Sequence, residues 1–170
     1  MKPAVFFDRD GVLNVEKNYL YEPEKFVWQP DAPEAIAWLK RQGYLVIVVT
    51  NQSGIARGYY TEADMHALHK HMQRLLIKAA GQIDAFYFCP HLPTAPLEAY
   101  AKECRCRKPG PGMIEQALAD CDIDMPHSFL VGDKPSDVLA AQAAGIAGYL
   151  YEGGSLLDFV RNVIQKAESV

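Results

Sequence analysis

No stretch of about 18 apolar residues occurs in this chain, so a membrane-spanning helix is not expected. An excess of positive charge is missing too: lysine and arginine number 17 against 21 aspartates and glutamates, for a net charge of -4. A protein that grips a nucleic-acid backbone wants the opposite balance, which disfavours nucleic acid as a partner. The opening "MKPAVFFDRD" holds too short an apolar run for a secretory leader, and charge breaks it at once. A cytoplasmic location is therefore expected. Internal repeats and low-complexity tracts are also lacking. Cysteine is scarce, at four residues, yet Cys89, Cys104 and Cys106 crowd together while Cys121 stands apart. A cytoplasmic chain seldom keeps disulfides, so the crowding points to a metal rather than a staple.

What the chain does have is length for one domain with a substantial core, at 170 residues and 49% hydrophobic content. Short β-rich runs alternate with longer helical ones. Strands are expected at 4–8 ("AVFFD"), 44–50 ("YLVIVVT"), 85–89 ("AFYFC"), 128–133 ("SFLVGD") and 147–151 ("AGYLY"). Helices are expected at 31–43 with Asp31 as N-cap, 61–80 with Thr61 as N-cap, 111–122, 136–145 and 155–167. "YLVIVVT" is apolar on both faces, as a central parallel strand requires. The alternation predicts an α/β fold, a parallel sheet with helices on both faces. Ligands of such sheets sit beyond the carboxyl ends of the strands, where Asp8, Thr50, Cys89 and Asp133 all fall.

That convergence gives the side-by-side aspartates of "FFDRDGVLN" a chemical reading. Asp8 ends the first strand, Asp10 lies just past it, and Gly11 permits a sharp turn. Close carboxylates suit a hard cation such as Mg²⁺. "VGDKPSD" adds Asp133, with Asp137 a helical turn later; "VVTNQSG" adds Thr50 and Asn51; "CRKPGPG" adds the cations Arg107 and Lys108. Together they describe a phosphate site in which Lys108, Thr50 and backbone N–H groups hold the equatorial oxygens. Asp8 is then placed to attack phosphorus, and Asp10 to protonate the leaving alkoxide and afterwards activate water.

"CPH" at 89–91 and "CRC" at 104–106 supply Cys89, His91, Cys104 and Cys106, a ligand set suited to a tetrahedral structural Zn²⁺. The segment between them has two prolines and little core-forming pattern, so a metal would clamp it and present Arg107 and Lys108. Cys121 reads as a small helical core residue. His66, His69 and His71 fall on the 61–80 helix, and a solvated or capping role is expected for them rather than a metal site. His127 has no visible partner.

"FFDRDGVLN", "VVTNQSG", Lys108 and "VGDKPSD", in that order, resemble the haloacid dehalogenase (HAD) superfamily of phosphatases. Within it, "DRDGVLN", "TNQSGIARG", "CPH…CRCRKPGPGM" and "VGDK" are similar to the branch of bacterial heptose-bisphosphate phosphatases. The resemblance implies a Rossmann-like sheet without a large cap domain, capped by loops at 14–28, 51–60 and 90–107. It implies Asp8 as nucleophile, Asp10 as acid and base, and Mg²⁺ bound by Asp8, the Asp10 backbone carbonyl and Asp133. Substrate contacts are implied for Glu16, Lys17, Asn18, Tyr19, Thr50, Asn51, Gln52, Ser53, Arg107, Lys108 and Lys134. The implied substrate is a phosphorylated sugar, a heptose 1,7-bisphosphate that loses its 7-phosphate to supply heptose for surface glycans; its anomer is left open.

The neighbouring histidinol-phosphate phosphatase branch shares the zinc loop, and Leu92 in "CPHLP" matches it better. "TNQSGIARG" and "KPGPGM" match the heptose branch, and Arg57, Arg107 and Lys134 favour an anionic substrate over a cationic amino alcohol. A phosphotransferase or mutase would use the same aspartyl-phosphate. A zinc-held binding module with a dead site is disfavoured, because each required side chain is present. Without a large cap or an apolar surface stripe, a monomer is expected.

Overall fold

The computed structural model describes residues 1–169. Five strands form one parallel sheet: β1 (Ala4–Phe7), β2 (Leu45–Asn51), β3 (Ala85–Cys89), β4 (Phe129–Gly132) and β5 (Ala147–Leu150). Five helices cover it: α1 (Ala32–Arg41), α2 (Glu62–Ile77), α3 (Gly112–Asp120), α4 (Pro135–Ala144) and α5 (Leu156–Glu168). The expected α/β alternation is therefore the architecture found. Among the described residues, no helix is long and apolar enough to cross a membrane.

The strand order is β3-β2-β1-β4-β5. The chain winds outward from β1 to β3, then returns to place β4 on the other side of β1. A crevice opens where the winding direction reverses, beyond the ends of β1 and β4. The period-two pattern of each strand splits the core between the two faces. Val5, Phe7, Val46, Val48 and Val131 pack with α1 and α5 through Ile36, Leu39, Val160 and Ile164. Phe6, Ile47, Val49 and Leu130 pack with α3 and α4 through Ile114, Ala117, Ala140 and Ala141. All four residues of β1 are fully buried, so the strand that delivers Asp8 and Asp10 is held from both sides.

Caps fix where the helices begin. Thr61 Oγ1 accepts from the Asp64 N–H (3.1 Å) and Asp64 Oδ2 accepts from the Thr61 N–H (2.9 Å), a reciprocal cap for α2. Asp31 differs from expectation. It occupies the N-cap position of α1, but its backbone is left-handed (φ 60°) and its side chain makes no capping bond. Its carboxylate accepts instead from Ser155 Oγ (2.6 Å), linking the starts of α1 and α5. His127 has a partner after all, Asp124 Oδ2 at 2.9 Å. Cys121 lies just past α3, half-buried against the second core.

Ser128 ties β1 to the turn before β4. Its buried hydroxyl accepts from the Ala4 N–H (2.9 Å) and donates to the Asp124 carbonyl (2.6 Å). Ser128→Ala strands a buried N–H and should cost about 1–3 kcal/mol. Denaturant unfolding checks this; an unchanged midpoint would show that water replaces the hydroxyl.

Candidate active site

Asp8 follows β1 directly, and its Oδ1 accepts from the Arg9 N–H (2.9 Å). Lys108 reaches the same oxygen with Nζ (3.1 Å) and also pairs with Asp137 Oδ1 (2.5 Å). Asp137, in the first turn of α4, accepts the N–H groups of Asp133 and Lys134 through Oδ2 (3.1 Å each), fixing the chain just after β4. Gly11 (φ +89°) makes the turn beside Asp10, and a Cβ there would lie 2.1 Å from Asp133 Oδ2, so only glycine lets this carboxylate approach.

Asp10 is held from three sides. Arg9 Nη2 donates to both carboxylate oxygens (3.1 Å each), Asn14 Nδ2 donates to Oδ1 (3.0 Å), and Gln52 Nε2 donates to Oδ2 (3.1 Å). Gln52 also donates to Thr50 Oγ1 (2.9 Å) and accepts from the Tyr60 hydroxyl. Thr50 is fully buried at the end of β2. Asn51 grips the Lys108 backbone, accepting its N–H (3.0 Å) and donating to its carbonyl (3.4 Å).

The charges do not balance within the protein. Asp8, Asp10, Asp133 and Asp137 outnumber the two buried cations among them, Arg9 and Lys108. Burial, with Asp137, Asp10 and Asp133 nearby, pushes the Asp8 carboxyl up to about 8 even though Lys108 pulls it down. Burial pulls Lys108 down, but Asp8 and Asp137 outweigh it and the ammonium is held above its usual range. Asp133 Oδ1 is buried without a hydrogen-bond partner. Asp8, Asp133 and Asp137 each offer an oxygen within 4.8 Å of the others. An all-oxygen donor set with an unpartnered buried carboxylate oxygen fits a divalent hard cation such as Mg²⁺.

A cavity of about 680 Å³ opens above these groups. Of the sequence candidates, Asp8, Asp10, Glu16, Asn18, Tyr19, Asn51, Gln52, Ser53, Arg107, Lys108 and Lys134 line it. Thr50 lies beneath, bonded to Gln52. Lys17 turns away and donates to the Lys25 carbonyl (2.7 Å). Arg57 and Tyr60 line the cavity too, and the Arg57 guanidinium sits over the Tyr19 ring at 5.6 Å. Arg57 Nε and Arg107 Nη1 are buried without protein acceptors.

Cys89, His91, Cys104 and Cys106 turn their ligand atoms to one point, all within 4.8 Å. The sulfurs lie 2.6–3.2 Å apart with no disulfide, and His91 Nδ1 is 3.4 Å from Cys106 Sγ. Three thiols and an imidazole are a donor set suited to zinc. The chain leaves this knot directly into Arg107 and Lys108.

The histidines of α2 correct one expectation. His69 is buried, not solvated or capping: its ring stacks on Phe86 (4.2 Å, 11°) and its Nε2 faces Arg9 Nη1 at 3.2 Å. Arg9 itself carries no signal in the sequence beyond its place between two aspartates.

A parallel sheet with this carboxylate edge defines a HAD-like hydrolase, and a family model described as HAD-hydrolase-like matches residues 105–158. A D-glycero-beta-D-manno-heptose-1,7-bisphosphate 7-phosphatase of Rhodopseudomonas palustris is 45% identical over 163 residues, 96% of this chain and 91% of that protein. A protein of the same description from Escherichia coli K12 is 43% identical over 144 residues, 85% and 75% of the two chains. The crystal structure of a D,D-heptose 1,7-bisphosphate phosphatase from B. bronchiseptica, complexed with magnesium and phosphate, superposes with a TM-score of 0.84 at 32% identity, covering 96% of this chain and 99% of that one. The chain belongs to the HAD-like phosphatase family, in the branch of these heptose bisphosphate phosphatases.

Protein purified without added zinc should carry about one zinc per chain. Cys104→Ser should lower that content and the thermal midpoint together. Metal analysis beside thermal unfolding checks this; a metal-free protein of undiminished stability would remove the zinc knot.

Proposed function

We propose that the chain is a Mg²⁺-dependent phosphomonoesterase that removes the 7-phosphate of D-glycero-β-D-manno-heptose 1,7-bisphosphate through an aspartyl-phosphate on Asp8. One observation carries this reading: a single cavity has the Asp8–Asp10–Lys108 group at its floor and two guanidinium groups with unpartnered buried nitrogens in its lining. One phosphate is to be transferred, and a second is to be recognised. The names of the relatives supply the sugar and its anomer. Leu92, the residue closer to the histidinol-phosphate branch, makes a backbone bond to Tyr100 (3.1 Å) and is not part of the cavity lining.

Asp8 and Asp133, with the Asp10 backbone carbonyl, would hold Mg²⁺, which when bound offsets the surplus negative charge and lets a phosphate approach the carboxylates. Asp8 Oδ1 is engaged by Lys108 and the Arg9 N–H, so Oδ2 is the oxygen left to attack phosphorus. As the Asp8–phosphorus bond forms and the bond to the sugar oxygen breaks, Asp10 delivers a proton to the departing alkoxide. Asp10 then accepts a proton from the water that attacks the aspartyl-phosphate, which releases inorganic phosphate and regenerates the Asp8 carboxylate. Lys108 and Thr50 stabilise the charge on the transferred group. Arg107, with Arg57 across the cavity, receives the phosphate that stays on the sugar. Cys89, His91, Cys104 and Cys106 would hold a structural Zn²⁺.

Phosphate release with Mg²⁺ from both heptose bisphosphate anomers, histidinol phosphate and fructose 1,6-bisphosphate tests the reading. The β anomer should lead in kcat/KM by about 100-fold, or roughly 2.7 kcal/mol of transition-state discrimination. A preference for histidinol phosphate would overturn the substrate assignment and leave the chemistry standing. Arg107→Ala should lower kcat/KM for the bisphosphate by about 100-fold while changing that for p-nitrophenyl phosphate less than about 3-fold. Equal losses would place Arg107 on the transferred phosphoryl group.

A further inference from the structure

Arg9 is the largest fully buried side chain of the protein, and it does not line the cavity. A buried guanidinium costs several kcal/mol unless it is paired and its donors are satisfied. Here every nitrogen of the group has an assigned partner. Nη2 donates to both Asp10 oxygens and to the Leu20 carbonyl (3.0 Å), and Nε points to Asp10 Oδ1 at 3.4 Å. Nη1 meets His69 Nε2 at 3.2 Å. A guanidinium only donates, so His69 Nε2 must accept and its ring proton sits on Nδ1. An imidazolium could not accept. Burial, reinforced by Arg9 and His66, pulls the His69 pKa down to about 3, so the ring stays neutral. Phe86 of β3 stacks on the ring and fixes its plane.

We infer that Arg9 and His69 are positioning residues for Asp10: His69, packed on Phe86, sets the guanidinium plane, and the guanidinium sets the plane of the acid/base carboxylate. The fork on Asp10 has two points of contact, so it fixes rotation as well as distance. Nη1 is the one nitrogen of the guanidinium not spent on Asp10 or Leu20. Without an acceptor there, the buried donor is orphaned, and the plane has no lateral restraint. The role rests on the proposed chemistry of Asp10, because a well-placed acid matters only where the leaving oxygen needs a proton.

That dependence supplies the test. An alkyl phosphate leaves as a basic alkoxide and needs Asp10 in the first step. A p-nitrophenyl ester leaves as a stable phenolate and does not. In both cases kcat/KM reports steps up to cleavage of the ester. His69→Leu should lower kcat/KM for the sugar bisphosphate about 10–30-fold, part of the 10²–10⁴ that general acid catalysis supplies. The value for p-nitrophenyl phosphate should fall less than about 3-fold. His69→Gln keeps a neutral acceptor near the Nε2 position and should restore the sugar-to-aryl ratio to within about 2-fold of the parent. Arg9→Lys, which keeps the charge but loses the fork, should reproduce the leucine pattern and serves if the leucine variant does not fold. Equal losses on both esters, or no recovery with glutamine, would overturn the inference and leave Arg9 and His69 as packing alone. The ratio can be read on any alkyl phosphate the enzyme accepts, so an error in the heptose assignment fails separately, on the unmodified protein.

Discussion

Four carboxylates crowded at the ends of two buried strands are the constraint on which this structure turns. Asp8, Asp10, Asp133 and Asp137 would repel one another and any phosphate that approached them. The protein answers with two buried cations that divide the task. Arg9 holds Asp10, and Lys108 bridges Asp8 and Asp137. Neither is free to move, since each is buried and spent on at least two acceptors. Asp133 Oδ1 is left buried without a hydrogen-bond partner. Burial, with the carboxylates of Asp137, Asp10 and Asp133 beside it, raises the Asp8 carboxyl even though Lys108 lowers it.

The sheet topology is what brings these groups together. Asp8 and Asp133 come from strands that are neighbours in space and more than a hundred residues apart in sequence. Thr50 and Asn51 end the strand on the other flank of β1. Because all strands are parallel, their carboxyl ends share one edge, and four separate loops meet there at no cost beyond folding the sheet. The full burial of β1 holds that edge rigid. The loops above it carry Tyr19, Arg57 and Arg107 into the cavity lining.

Residues whose role is local were legible in the sequence. An apolar run stopped by Asp8, the glycine after Asp10, and the C-x-H and C-x-C pairs each announce themselves within a few positions. All five strands and all five helices fall within a few residues of their expected places, most plainly where the period is distinct, in the buried strands β1, β2 and β4 and the amphipathic helices α1 and α5. Residues whose role is made by contact across the fold were not legible. His69 lies on a helix whose sequence is largely polar, and it reads as solvated until Phe86 and Arg9 close around it. Arg9 carries no signal of its own in the sequence because, beyond Asp10, its partners lie 11 and 60 residues away. Lys17 lies outside the cavity lining that holds its neighbours Glu16 and Asn18, since neighbours in sequence need not share a direction. Asn18 and Tyr19 both take left-handed backbone, which swings the chain round after Lys17.

The cysteine knot and the Asn51 grip act on opposite sides of two residues. Cys106 anchors the chain before Arg107, and Asn51 holds both the N–H and the carbonyl of Lys108. The turn that follows is tight: the Gly110 N–H donates to the Arg107 carbonyl (2.7 Å) and the Gly112 N–H to the Arg105 carbonyl (2.9 Å). A Cβ at Gly110 would lie 2.4 Å from the Arg105 carbonyl oxygen, so no larger residue fits without opening the turn. A lysine on a free loop would lose side-chain entropy each time it met Asp8. Here that cost is met once, on folding, and the ammonium is in place before substrate arrives. The same anchoring directs Arg107 away from the floor and into the cavity. Two adjacent residues thus take different places: Lys108 pairs with Asp8, and Arg107 lines the cavity with a buried Nη1 that has no protein acceptor. A loop with few apolar residues needs something other than a hydrophobic core to fix its shape, and the clustered Cys89, His91, Cys104 and Cys106 side chains are a donor set that a bound metal would turn into such a clamp.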